Sequence, residues 1–333
     1  MGIEGRGRYS PTHLLMSLDG RVNKEQVEAL LSEHAIDFGR SARMGSSEDR
    51  NVGWATSAEV DEADFSNRDS WDFDSISMVY LREDRKVIDT AAKKRLVASR
   101  VKLWLEENGR QRCPATIKTE IKVSADVEMA MKAQVKAKII EVAIHWNSGW
   151  AVVSSQTESS VDMVIKLLNQ TFKGMATSFT RKKLDDMIED EVDDAASAGA
   201  QILEKLWNHL DQEGELTVDG ASIELGSTAV LSSERGKTTI KGDLTREEIE
   251  AAATAGGRKT FEALGIKICR EERDFELTIL AAGFMMKDLV RPPFPGDSRE
   301  ADILIGTDLY NEAHELVCAI ARWGLSDSTS GEE

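Results

Sequence analysis

Residues 89–136 read DTAAKKRLVASRVKLWLEENGRQRCPATIKTEIKVSADVEMAMKAQVK. Asp89 stands where a helix N-cap accepts backbone N–H groups, and Asn108-Gly109 is a normal stop signal. Val97, Val101 and Trp104 fall on one face at helical spacing, with Arg95 and Lys102 roughly opposite. A second helical stretch follows Pro114 and runs through about Lys136. Lys132 and Lys136 lie one turn apart there, away from Val127 and Ala130. Helix, Gly-Arg turn, helix predicts a basic helical hairpin carried on a larger body.

On the N-terminal side, residues 12–18 read as a strand. Asn23 reads as an N-cap with Gln26 at N3 of a helix ending near His34. Ser41 to Asp74, rich in Ser, Asp, Glu and Asn, predicts loops around Trp54 and Trp71, followed by a strand over Ile76–Arg82. On the C-terminal side, Ile139–Ile144, a turn at Asn147-Ser148-Gly149 and Trp150–Ser154 predict a β-hairpin. An amphipathic helix from Ser160 to Lys173-Gly174 follows. Arg181-Lys182-Lys183 precedes seven carboxylates between Asp185 and Asp194. Beyond a small-residue stretch at 195–200, the pattern predicts a helix over 202–210 and strands at 216–218, 223–225 and 238–241. Thr245 with Glu248 has the capping-box form before a helix to about Leu264. Strands near 266–269, 275–280 and 302–305 and a helix over 309–323 close the chain.

The expected fold is α+β, with two α/β-type halves built on antiparallel sheets and a projecting hairpin. The expected division is 9–88 with 139–176, the hairpin 89–138, an acidic linker helix 177–200, and 201–325. Residues 1–8, which contain Ile3-Glu4-Gly5-Arg6, and the tail 326–333 are set outside the fold as unfolded or engineered ends. They offer no apolar core of a secretory signal.

The chain has 333 residues, 41% of them hydrophobic, and only 3 cysteines. Cys113, Cys269 and Cys318 are far apart, so neither a disulfide framework nor a zinc site is indicated, and a reducing cytoplasm is the expected home. No stretch has the roughly 20 apolar residues of a spanning helix. Net charge is −17, but residues 82–138 hold 15 Lys/Arg against 8 Asp/Glu, a local +7 that leaves −24 on the rest. That asymmetry suggests a basic surface on an acidic body.

Several motifs together resemble the RdgC family of recombination-associated proteins. They are Asp243-Leu244-Thr245-Arg246-Glu247-Glu248-Ile249 with Ala255-Gly256-Gly257-Arg258, and Ala301-Asp302-Ile303-Leu304-Ile305-Gly306-Thr307-Asp308-Leu309. Gly53-Trp54 resembles the family's Gly-Trp turn without its prolines, and Gly109-Arg110, Arg112 and Lys118 to Lys122 resemble its basic hairpin. Asn147 to Ser154 is similar to its following strand pair. The resemblance spans most of residues 12–325 in the family's order. Departures mark a divergent member, its host or phage origin left open. Gln134 stands where the family has an aromatic, Gly257 replaces a lysine, and the acidic run from Asp185 is extra. The resemblance implies a horseshoe-like subunit closing into a ring-shaped homodimer. It further implies sequence-independent binding of duplex DNA (single strands are a second candidate), restraint of RecA-driven strand exchange, and a nucleoid location.

The candidate DNA contacts are Lys93, Lys94, Arg95, Arg100, Lys102, Arg110, Arg112, Lys118, Lys122, Lys132 and Lys136, with Lys241 and Arg258 second. Such cations neutralise phosphates and release counterions. The competing reading is a solvated helix pair. Some descriptions of the family carry an exonuclease label, and the acidic run could be read as a two-metal site. Consecutive carboxylates on one helix do not converge, so a solvated helix is the better reading and neither catalysis nor a metal is expected. A third reading is an acidic factor that binds the recombinase directly. His13, His34, His145, His209 and His314 never pair at ligand spacing and are expected to be structural or exposed. No nucleophile elbow or phosphate-binding loop stands out, and no cofactor or membrane contact is expected. Trp54, Trp71, Trp146 and Trp150 are expected in cores rather than as base-stacking platforms.

Overall fold

The computed structural model describes residues 2–4, 7–17, 22–46, 49–175, 177–182, 195–234, 236–242, 244–254, 259–294 and 297–326. The strands are β1 Thr12–Ser17, β2 Arg50–Ala55, β3 Asp72–Phe73, β4 Ile76–Lys86, β5 Val135–His145, β6 Trp150–Val153, β7 Ser178–Arg181, β8 Leu216–Val218, β9 Ala221–Ser233, β10 Gly236–Lys241, β11 Thr260–Arg270, β12 Arg273–Leu280 and β13 Met285–Val290. The helices are α1 Lys24–Glu33, α2 Phe38–Arg43, α3 Thr90–Asn108, α4 Ala115–Lys132, α5 Glu158–Thr171, α6 Ala195–Glu213, α7 Arg246–Thr254 and α8 Arg299–Leu325. The α+β class holds, with antiparallel pairing in both sheets. The chain forms two compact units, one of residues 22–71 and 79–140, the other of 1–21, 72–78 and 141–333.

In the smaller unit, β2 pairs with β4 in the register Trp54↔Leu81. The span expected as loops therefore contains α2 and β2, and Gly53-Trp54 lies in a strand rather than a turn. The reason is tertiary. Trp54 N donates to His34 O and Ile36 N donates to Trp54 O, both at 2.9 Å. A Cβ on Gly53 would lie 2.5 Å from Ile36 N, so only glycine permits this approach. A buried polar knot fastens α2 to these strands. Asp84, fully buried, accepts from Arg82 Nε at 2.7 Å and from Ser41 Oγ at 2.6 Å. Asn51 Nδ2 donates to Ser41 Oγ at 2.8 Å and to Asp37 O at 2.7 Å. Trp54 and Trp71 are fully buried.

In the larger unit, β6 and β7 flank β1, with Leu15 opposite Trp150 and Thr180. The amphipathic face of α5 buries Val161, Val164, Leu167 and Leu168. Asn169 clamps β7 by donating to Phe179 O at 3.1 Å and accepting from Phe179 N at 2.7 Å. The second sheet runs β10-β9-β11-β12-β13, with β8 on β9. α6 packs on β9 and β11, burying Leu203, Leu206 and Leu210 and setting Trp207 5.8 Å from Phe261. The small-residue stretch opens α6 rather than forming a linker. Gly199 lets the helix touch Ala281 O, where a Cβ would sit 2.1 Å away.

Three further expectations are corrected. The capped helix α7 ends at Thr254, and residues 260–264 belong to β11. Residues 302–305 are not a strand but part of α8, which starts at the cap Ser298 and runs 27 residues. Gly306 does not break it, because Arg291 fills the space its side chain would take and donates to Gly306 O at 2.6 Å. The N-terminal residues set outside the fold are in part packed. Ile3 is fully buried, its carbonyl accepts from Arg291 at 3.0 Å, and Tyr9 N donates to Leu289 O at 3.2 Å.

Removing one partner from a buried charge pair typically costs about 3–5 kcal/mol, because the remaining charge stays desolvated. Asp84→Ala strands Arg82, which also meets Asp61, so a loss of about 3 kcal/mol is expected in urea unfolding. A loss under about 1 kcal/mol would show that the knot contributes little.

Candidate nucleic-acid interface

The hairpin forms as its local signals direct, except that α4 ends at Lys132 and Lys136 falls in the strand β5 rather than one helical turn further on. Asp89 Oδ1 accepts from Ala91 N at 2.8 Å and Ala92 N at 3.2 Å, and α3 stops at Gly109 in the left-handed region, φ 59°. The two amide donors, then the charge of Arg95, hold the Asp89 carboxyl below its usual range. No α3 side chain is fully buried and α4 fully buries only Ala125 and Ala130, while Val97, Val101, Leu105, Ile117 and Ile121 are half-buried. Lys93 with Asp126 and Arg100 with Glu128, from residues two turns apart on α3, also join the helices. Arg100 also reaches Ser124 Oγ at 3.0 Å.

The thirteen predicted cations thus separate. Lys93 and Arg100 are half-buried and hold the hairpin together. Lys102 and Lys132 are exposed but lie near Glu106 and Glu128, at 3.8 and 2.8 Å. Lys94, Arg110, Arg112, Lys118, Lys122 and Lys136 are exposed and form no ion pair among the described residues. Arg95 is exposed beside the Asp89 cap. Lys93, Lys94, Lys102, Lys118 and Lys122 rim a groove of about 690 Å³ floored by Val97, Ala98, Val101 and Leu105. Their aliphatic stems can cover that floor while their ammonium groups face water. In the larger unit Lys241 is exposed at the end of β10. Arg258 and the acidic run 185–194 lie outside the described residues.

One arrangement escaped sequence reasoning. Three of the histidines expected to be structural or exposed, His13, His145 and His314, form a stack in the larger unit. The His145 ring lies 3.9 Å from Trp150, Trp150 lies 5.3 Å from His13, and His13 lies 4.0 Å from His314. Tyr310 OH sits 3.2 Å from His13 Nδ1. Lys182 Nζ and Cys318 Sγ sit 3.2 and 3.7 Å from His314 Nε2. The signal was the spacing Tyr310–His314–Cys318, one face of a helix at four-residue steps. His13 and His145 came from strands that only the fold aligns.

Burial lowers His145 to about 4, and burial, then the Lys182 charge, lowers His314 to about 3. Burial followed by its neighbours His314, Lys182 and His145 takes His13 well below its ordinary value. Burial pushes the Cys318 thiol up, so His314 does not generate a thiolate. The adjoining cavity of about 20 Å³ holds roughly one water. The cluster is a packed joint of neutral rings. Among the described residues, no group of three His, Cys, Asp or Glu could hold a metal ion. No helix of the described residues is long and apolar enough to cross a membrane.

A cationic hairpin on an acidic α+β chain is the make-up of a nucleic-acid-associated protein. Residues 16–189 match the family model described as "Putative exonuclease, RdgC", over half of the chain. The chain belongs to the RdgC family, recombination-related proteins associated with nucleic acid. No curated protein matches the chain.

The stack should lower the protein's stability in acid. Its histidines bind protons when unfolded but resist them when folded, so stability falls as pH drops below about 6.5. Between pH 7 and 4.5, His145 and His314 should each remove about 2 kcal/mol from the unfolding free energy. His145→Phe should flatten that dependence in urea titrations at the two pH values. An unchanged pH slope would place the acid sensitivity elsewhere.

Proposed function

We propose that this protein binds duplex DNA without sequence preference, clamps or encircles it as a ring-shaped homodimer, and so restrains strand exchange by a RecA-type recombinase. The observation that carries the reading is the hairpin. Six exposed cations without ion-pair partners among the described residues lie along α3, α4 and the adjoining turn and strand. An array of flexible cations suits phosphates, which are the same at every base pair. Trp54, Trp71, Trp146 and Trp150 are buried, which removes these four of the seven tryptophans as base-stacking platforms, while Trp104 on α3 is half-buried. The acidic remainder would repel DNA from other faces and confine it to one path. Ring closure and recombinase restraint are the part of this reading that rests on the family resemblance. Occupying the duplex that the recombinase must invade is sufficient for restraint, without a direct contact.

The exonuclease wording of the family description favours a second reading, metal-dependent cleavage. Two-metal chemistry needs carboxylates that converge on the ions. The carboxylates that this reading would use, Asp185 to Asp194, lie outside the described residues, and binding is the reading that the exposed cations of the hairpin favour.

Titrating a labelled random duplex at several salt concentrations tests the proposal. Six phosphate contacts predict a log K against log salt slope of about −5. Lys94→Glu with Lys122→Glu should weaken binding about tenfold or more at low salt and flatten the slope by about 2. Absence of binding at low salt would overturn the reading. Shortening of linear duplex by the purified protein in Mg²⁺ or Mn²⁺ would favour the nuclease.

A further inference from the structure

The second sheet carries a polar trough that the hairpin account leaves unused. It lies on the face where strand alternation leaves side chains unburied, while Ala229, Leu231, Phe275, Leu277 and Ile279 turn into the core. The register puts five residues in one line across the strands. Lys241 pairs with Thr228, Gly265 pairs with Thr278, and Thr278 pairs with Lys287. Gly265 adjoins Thr228 across a β-bulge, where a Cβ would come 3.0 Å from Thr228 O. With strands about 4.8 Å apart, the row is about 19 Å long. It forms part of a depression of about 330 Å³.

Its chemistry is ordered. Lys241 and Lys287 are exposed at the two ends and form no ion pair among the described residues. Hydroxyls of Thr228 and Thr278 lie between them, and Gly265 leaves the middle of the floor without a side chain. A Cβ on Gly226 would come 2.7 Å from Gly265 C, so β9 and β11 approach too closely for anything larger. Two carboxylates also line the trough. Glu276 is met by Arg8 at 3.7 Å, while Asp288 has no cationic partner among the described residues.

We propose that this row is a second phosphate-contact surface, taking the sugar-phosphate backbone of a nucleic acid across the sheet. Cations at both ends, hydroxyl donors between them and a bare central floor fit a chain of repeated anions better than one small ion. Measured along the duplex axis at 3.4 Å of rise, the row spans about five to six base pairs. Asp288 is the opposing charge that weakens the grip. The inference rests on the DNA-binding reading above and assigns it residues in the larger unit.

The experiment compares four forms of the full chain on one labelled random duplex across a salt series. These are the unaltered protein, Lys241→Glu/Lys287→Glu, Asp288→Asn, and the hairpin pair Lys94→Glu/Lys122→Glu, each checked by thermal melting. The trough pair should bind at least tenfold more weakly at low salt, with the slope flattened by about 2. Asp288→Asn should bind more tightly. Asparagine tolerates the positive φ of 54° at this position, so the change removes charge rather than backbone fit. Unchanged affinity and slope in the trough pair, alongside weakened binding in the hairpin pair, would overturn the trough and leave DNA binding standing. Equal or weaker binding by Asp288→Asn would also count against it. Displacement of the duplex by inorganic phosphate at constant ionic strength would mark a small-anion site and overturn the backbone assignment. Failure of the unaltered protein to bind would remove both readings.

Discussion

Two ion pairs decide what the hairpin can do. α3 and α4 fully bury only Ala125 and Ala130, while apolar side chains along both, Val97, Val101, Leu105, Ile117 and Ile121 among them, are half-buried. Lys93–Asp126 and Arg100–Glu128 tie the two helices together beside those side chains, with the Asp89 cap and the left-handed Gly109 fixing the ends of α3. Their half-buried setting screens them less than a fully solvated pair. The cost is that two of the segment's cations are committed internally. The benefit is that the remaining ones are held in a fixed array rather than on a frayed chain, so less ordering entropy is lost when an anion arrives.

The same division of labour recurs elsewhere. In the smaller unit, Asp84 and Arg82 sit inside a hydrogen-bonded knot and have no further valence for a ligand. In the larger unit, Arg291 is consumed by the carbonyls of Ile3 and Gly306, which lock the start of the chain onto α8. The histidine stack joins β1, β5, β6 and α8, and burial keeps its rings neutral. On the hairpin and on the open face of the second sheet, by contrast, Lys94, Lys118, Lys122, Lys241 and Lys287 are exposed and form no ion pair among the described residues.

Much of this was legible in sequence because its causes are local. Asn23, Asp89, Thr245 and Gly109 act within one turn, and the hairpin cations were named from spacing and composition. What was missed depends on distant partners. β2 contains few strand-forming residues and exists because β4 and the His34–Ile36 segment hold it. Ile303-Leu304-Ile305 reads as a strand in isolation, yet Ser298 nucleates a helix before it and Arg291 stabilises that helix at Gly306. Which hairpin cations are spent could not be read at all, since Asp126 and Glu128 lie on the other helix. The histidine stack likewise needs separate strands and α8 in place. The row from Lys241 to Lys287 is a property of strand register, which no single segment encodes.

A protein that holds duplex DNA by its backbone as a closed clamp leaves that DNA chemically intact and stays on it wherever it has no ends. The most direct measurement compares retention on relaxed closed circles and on linear duplex of the same sequence. Protein is loaded at low salt with Mg²⁺, followed by a high-salt wash and sizing of the DNA. The account predicts that protein stays on circles, is lost from linear molecules through their ends, and leaves both DNAs full length. Equal loss from both forms, or DNA shortened from its ends, would contradict it.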